Sequence, residues 1–190
     1  MTYFTATEIL LAEELVDRQA ILLQFIAIAD KCFELNSFNC VLAIYSGLTS
    51  SPVHRLKKTW EILETNAALK TAWTRLEEFT DSAGNHAKYR NTLHSINPPC
   101  VPFLGQYLTD LVFIDDGNPD TIQYGDKAFI NFQKRQQTSA VIREVHQFQQ
   151  TPYNFKDWSQ LIKYLLRNTH LLDDSQLYKQ SLKVEPRAKA

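Results

Sequence analysis

Two adjacent carboxylates, Asp115 and Asp116, end an apolar run of Leu104, Tyr107, Leu108, Leu111 and Val112, just before Gly117-Asn118-Pro119. The three- and four-residue spacing of that run predicts a helix, and a helix C-terminus already carries about half a negative charge. Lys or Arg is the favoured residue there, so the two acids stand against the local electrostatics. Two readings are open. Asp-Asp-Gly-Asn-Pro is rich in turn formers and makes an ordinary helix stop. Alternatively, an acid is held at a hairpin tip to meet a cation or a cluster of N–H donors. Other chemistry is sparse. The chain has no phosphate loop, no dinucleotide fingerprint, no H-E-x-x-H and no nucleophile elbow. His54, His86, His94, His146 and His170 lack metal-ligand spacing on any one helix and read as surface or hydrogen-bonded histidines. The expectation is no cofactor, no metal site and no covalent catalysis.

The elements that must position those acids read as helical nearly throughout. Thr5-x-x-Glu8 predicts a capping box opening a first helix. Residues 16–35 predict one long helix burying Ile21, Phe25, Ile28, Cys32 and Leu35. Ser37 is placed to cap a helix over 38–46 that is apolar almost all round, hence central to a core, and Gly47 to stop it. Leu56, Trp60 and Leu63 continue the pattern, as do Leu69, Trp73 and Leu76, then Tyr89, Leu93 and Ile96, with a polar loop over 80–85. Asn97-Pro98-Pro99 is a stop. Pro102 is expected in the first turn of a helix reaching about Ile114, with a return helix over 126–149 carrying Phe129, Phe132, Val141, Val145 and Phe148. Shorter helices are expected over 158–166 and 175–182, with fraying after Glu185-Pro186-Arg187. Alternating strand patterns, internal repeats and low-complexity tracts are absent, which predicts an all-α fold.

Composition bounds the rest. At 190 residues the chain fits one domain, long enough to bury roughly 70% of its extended surface. An apolar fraction of 44% marks it as globular rather than disordered. A formal net charge of -1 argues against binding nucleic acid or an anionic membrane by bulk charge. The pairs Lys57-Lys58 and Lys134-Arg135 read as solvated helix faces. Cys32, Cys40 and Cys100 are odd in number and lack C-x-x-C spacing, which disfavours a disulfide framework or a thiolate zinc site. They read as small buried hydrophobes in a reducing cytosol. Charges interrupt every apolar run before it reaches membrane-span length, and the first residues lack the pattern of a secretory signal.

Several segments resemble the catalytic domain of Ras-type guanine-nucleotide exchange factors, the Son of sevenless and Ras-GRF-like proteins. They are Glu34-Leu35-Asn36-x-Phe38-Asn39, then Ser50-Ser51-Pro52-Val53-His54-Arg55-Leu56 through Trp60, and Ile96-Asn97-Pro98-Pro99-Cys100-Val101-Pro102-Phe103-Leu104-Gly105. Tyr107-Leu108-Thr109-Asp110-Leu111, Gly117-Asn118-Pro119, Ile130-Asn131-Phe132-x-Lys134-Arg135 and Ile142-Arg143-Glu144 follow in order, and Leu177-Tyr178 to Glu185-Pro186-Arg187 closes the series. The matches span nearly the whole chain. The resemblance implies an orthogonal all-α bundle with a protruding helical hairpin that displaces switch I of a small GTPase, and so releases its nucleotide without making or breaking a bond. It implies that Val112 crowds the magnesium site and that Asp116, with Asn118 beside it, takes the place of phosphate at the phosphate loop. It also implies that His54, His86, Lys88, Phe103, Gly105, Thr109 and Asp110 grip the GTPase. Phe103 as plain core and His54 as plain surface remain open alternatives. The implied partner is a Ras or Rap GTPase, held as a nucleotide-free intermediate by a monomeric, cytoplasmic factor recruited to membranes that bear it. Nucleic acid is not an implied partner.

Three departures accompany the resemblance. His54 stands where the family carries a phenol, Asp116 is one methylene shorter than the usual glutamate, and the family's domain begins further upstream, which reads as an N-terminally incomplete domain over 1–190. The alternative function is a non-catalytic GTPase-binding or scaffold module; no constellation supports a generic helical enzyme.

Overall fold

Two helices joined by a tight corner set the centre: α2 (Leu15–Glu34) and α3 (Phe38–Leu48), with α1 (Thr2–Leu11) lying against both. The computed structural model describes residues 1–156, 158–167 and 170–187. On α2 the buried face is Arg18, Leu22, Phe25, Ile26 and Ala29, while Ile28 and Leu35 are more than a third exposed. The expected stripe was therefore rotated by one residue. Both series keep the helical period, and where α1 and α3 lie decides which is covered.

Gly47 does not end α3, which runs one residue beyond it. A Cβ there would lie 2.7 Å from the Thr2 carbonyl oxygen and 2.8 Å from Thr5 Cβ, so glycine is what lets α1 rest on α3. Thr5 is consequently fully buried one turn inside α1 and caps nothing; its hydroxyl has no hydrogen-bond partner among the described residues. Ser37 precedes α3 without a side-chain capping bond.

Short helices α4 (Ser51–His54) and α5 (Lys57–Trp60) and a 3-10 turn (Glu61–Thr65) lead into α6 (Ala67–Thr80) and α7 (Ala83–Ser95). Asn66 caps α6 by accepting from the Leu69 N–H. The loop expected over 80–85 is a break between helices: Asp81 and Ser82 lie outside α6 and α7, and Gly84, Asn85 and His86 are left-handed, with φ of 61°, 57° and 57°. Phe33, Phe38, Phe79 and Tyr89 form one edge-on aromatic cluster, and Trp73 packs on Tyr45 and Trp60 to form a second.

The segment after Pro98-Pro99 leaves this body. Pro102 precedes α8 (Leu104–Gly117) rather than sitting in its first turn. The return helix α9 (Phe132–Phe148) starts six residues later than 126, because β1 (Thr121–Tyr124) and β2 (Lys127–Ile130) pair antiparallel between the helices. Gly125, at φ +61°, supplies the first position of their two-residue turn, and Ile122 opposes Phe129 across the ladder. Every residue of both strands is exposed. Helices α8 and α9 pack on each other and little on the rest, forming a prong. α10 (Ser159–Arg167) and α11 (Asp174–Val184) follow, α11 opening with an Asp173–Gln176 capping box and packing on α1 and α4. The segment after 187 lies outside the described residues. The fold is all-α with one small β-hairpin, and no described helix is long and apolar enough to cross a membrane.

Candidate functional site

The base of the prong is held by groups whose burial fixes them. Tyr89 packs edge-on against Phe38, and its hydroxyl accepts the Phe103 N–H at 2.9 Å. Burial pushes the Tyr89 phenol up to about 12. The Val101 N–H donates to the Asn36 carbonyl at 3.0 Å, and the Asn39 N–H to the Val101 carbonyl at 3.1 Å. The α2–α3 corner thus grips the chain just before α8. At Gly105 an added Cβ would run into the Phe103 ring, so the missing side chain lets that ring fold back over the first turn. Asp110 accepts from Arg90 at 2.6 Å and from Gln106 at 3.2 Å, and Arg90 also donates to the Asn85 carbonyl at 3.0 Å. Asp110 is therefore engaged within the chain, tying the prong to the left-handed turn of α7. Across the two legs, the Tyr107 hydroxyl donates to Glu144 at 3.0 Å.

At the tip the electrostatic conflict read from the sequence is answered by one cation. The Lys134 ammonium lies 2.7 Å from the Asp115 carboxylate and 3.0 Å from that of Asp120, and donates to the Asp115 carbonyl at 3.1 Å. Lys134 is only 3% exposed, which corrects its reading as part of a solvated face. It supplies from α9 the positive charge that the end of α8 lacks. Lys134, joined by Arg135 at 2.8 Å, holds the Asp120 carboxyl below its usual range. Asn118 turns inward and donates from its amide to the Ile114 carbonyl at 2.9 Å. Asn131 donates to the Pro119 carbonyl at 2.9 Å and accepts the Lys134 N–H at 3.2 Å, capping α9.

Asp116 is left out of this clamp. Its carboxylate is exposed and makes no hydrogen bond or ion pair among the described residues. Next to it the shaft is apolar and uncovered: Leu108, Val112 and Phe113 are 63%, 56% and 64% exposed. Val112 and Asp116 line one open depression of about 490 Å³ with Leu108, Leu111, Asp115, Arg135 and Thr138. An oily wall ending in an unpaired carboxylate is suited to a surface rich in N–H donors.

The remaining expected residues fall in two places. Phe103 precedes α8, and Gly105, Thr109 and Asp110 run up its first half, Thr109 exposed and bonded to the Gly105 carbonyl at 2.9 Å. On the body, His54 lines a depression with Trp60, Trp73 and Lys57, and Lys88 an adjoining one; the two share Tyr45 and Glu77. His54 and Lys88 are exposed, and His86 is half-buried in its left-handed turn. The structure thus brings Val112 and Asp116 together, and His54 and Lys88 near one another. Sequence reasoning missed the Lys134 clamp, the Arg90–Asp110 tie and the β-hairpin. Acids at 115, 116 and 120 with a basic pair at 134–135 on the return leg were the available signal for the clamp, and the Tyr124-Gly125-Asp126-Lys127 turn for the hairpin.

The model of the RasGEF domain matches residues 1–136. Over 182 residues the chain is 40% identical to the Ras-specific guanine nucleotide-releasing factor 1 of Rattus norvegicus, covering 96% of this chain and 14% of that protein. It is 40% identical over 190 residues to the Ras-specific guanine nucleotide-releasing factor 2 of Danio rerio, 15% of its length. It is 44% identical over 190 residues to the Ras guanine nucleotide exchange factor I of Dictyostelium discoideum, 22% of its length. The chain spans less than a quarter of each of these relatives.

Proposed function

Since this chain belongs to the RasGEF domain family, we propose that residues 1–190 act as an exchange module that opens the nucleotide site of a Ras-family GTPase, releasing GDP so that GTP can load. The observation that carries the reading is the prong tip, where Val112 is exposed and Asp116 unpaired while Lys134 neutralises the neighbouring acids. In this reading the apolar shaft excludes magnesium, and the Asp116 carboxylate occupies a nest of backbone N–H groups otherwise filled by phosphate. Its charge also repels the phosphates it replaces. No bond is made or broken; the factor lowers the barrier to release and binds the nucleotide-free GTPase.

Magnitudes bear on this. A GTPase holding GDP at about 1 pM does so with roughly 16 kcal/mol, so a competitor needs a large interface, of order 2,000 Å² in total. An interface of that size gives a second role to the body surface around His54, His86 and Lys88. Acceleration by about 10⁵ asks for roughly 7 kcal/mol. We take Ras before Rap as substrate, acting on the GTPase at its membrane by recruitment and as a monomer.

The test is release of a fluorescent guanine nucleotide from a panel of Ras and Rap GTPases. Accelerated release from at least one member is expected. Tight binding without faster release would make the chain a scaffold, and no effect on any member would overturn the reading.

A further inference from the structure

The α2–α3 corner that holds the prong carries two cysteines. Cys32 lies in the last turn of α2 and Cys40 in the first turn of α3. The corner brings them together through its backbone: the Ser37 N–H donates to the Cys32 carbonyl at 2.8 Å, and the Cys40 N–H to the Ser37 carbonyl at 3.0 Å. Both are half-buried and free, and each thiol is the largest influence on the other's ionisation. Cys100, between Pro99 and Val101 that bond to the same corner, is buried. No group of three or more His, Cys, Asp or Glu among the described residues could hold a metal there, which leaves the pair to thiol chemistry.

The same corner grips both ends of the prong. Asn36 and Asn39 exchange backbone hydrogen bonds with Val101 ahead of α8, and the Asn36 amide donates to the Pro99 carbonyl at 3.4 Å. Beyond α9, the Tyr153 hydroxyl donates to the Leu35 carbonyl at 2.5 Å. Any change in the corner's geometry is therefore transmitted to the leading and trailing legs together.

We infer that Cys32 and Cys40 are a reversible oxidation site, closed into a disulfide by hydrogen peroxide or another hydroperoxide, which shifts the corner's hold on the prong and slows nucleotide release. Cys40 is the attacking group. The neighbouring Cys32 thiol holds Cys40 below the ordinary thiol range, and Ser37 adds to this. The start of α3 favours the thiolate as well. The Cys40 thiolate takes one oxygen from the peroxide, forming a sulfenic acid and releasing hydroxide. The Cys32 sulfur then displaces the sulfenic hydroxyl, and its proton leaves in water. The net change is two thiols and one peroxide to one disulfide and two waters, reversed by an external dithiol. Closing a sulfur–sulfur bond of about 2.05 Å across the corner draws the ends of α2 and α3 together.

The effect on exchange rests on the proposed function; formation of the bond does not. The full chain is treated with peroxide, its free thiols alkylated, and the protein cleaved after Glu34, which separates the two cysteines. Expected are a mass lower by about 2 Da before alkylation and, after cleavage, one linked pair of peptides containing Cys32 and Cys40 with an unlinked, alkylated Cys100. Cys32→Ser is expected to leave Cys40 as an unlinked sulfenic acid. Linkage through Cys100, or overoxidation of Cys40 without any link, overturns the site. In the release assay, peroxide is expected to slow the wild type several-fold, with recovery in dithiothreitol, and to leave the Cys32→Ser/Cys40→Ser protein unaffected. Equal inhibition of both proteins, or none of the wild type once it is linked, overturns the coupling. If untreated wild type accelerates no GTPase, the exchange reading fails while the peptide map still decides the site.

Discussion

Asp116 and Asp115 are neighbours with opposite fates, since one carboxylate is clamped by Lys134 and the other is left without a partner. Removing Asp116 should therefore touch function and spare stability. Asp116→Ala is expected to slow catalysed release about 10- to 100-fold, the equivalent of one charge-assisted hydrogen bond of roughly 1.5–3 kcal/mol, with an unchanged thermal midpoint. A shifted midpoint would mean that Asp116 supports the fold instead. Tyr89 gives a pH prediction. Burial raises its phenol from 10.0 to about 12, so the folded chain favours the neutral form more than the unfolded chain does. That stability is complete below pH 10 and is lost as pH rises towards about 12. Alkaline unfolding monitored together with tyrosinate absorbance should show Tyr89 ionising only as the chain unfolds. At this scale the acids were legible, because charge against a helix dipole shows in the sequence. Lys134 was not, because a basic pair looks the same whether solvated or covered, and only the packing of α9 on α8 buries it.

Gly47 shows how a single residue sets the contact between elements. In an isolated helix Ala would be better than Gly by about 1 kcal/mol. Here a Cβ would meet the Thr2 carbonyl oxygen at 2.7 Å, and backbone cannot move aside as a side chain can. Overpacking, at about 1–3 kcal/mol, should therefore outweigh propensity, and Gly47→Ala is expected to lower the urea midpoint. A raised midpoint would show that α1 adjusts freely. Helix existence was legible along almost the whole chain, since 3.6-residue periodicity survives without knowledge of neighbours. Faces were less so: on α2, Leu22, Ile26 and Ala29 and the rival series Ile21, Ile28 and Leu35 have the same period, and only α1 and α3 choose between them. The β-hairpin was lost because β1 and β2 have four residues each, too few for alternation to stand out beside helical runs.

Across the molecule, the chain's two ends are joined through Arg18 and Glu185. Arg18, 2% exposed, donates to Thr59 and to the Ala12 and Glu13 carbonyls, while Glu185 accepts from the Lys58 and Thr59 backbone and lies 3.9 Å from Arg18. Glu185→Ala leaves a buried guanidinium without its counter-charge and should lower stability by about 3 kcal/mol, read from the denaturant midpoint. A change within experimental error would make the closure of α11 incidental. This body matters because the prong, packing mainly on itself, has aim only through what holds its base. The central claim is that the prong takes the space of a metal ion and a phosphate, and competition tests it most directly. A complex of the chain with nucleotide-free Ras is titrated with GDP and magnesium while the bound fraction is followed. The account predicts that nucleotide and magnesium expel the chain, and that Val112→Glu and Asp116→Ala complexes give way at lower GDP. A ternary complex in which Ras holds GDP and the chain together, undisturbed by excess nucleotide, would contradict it.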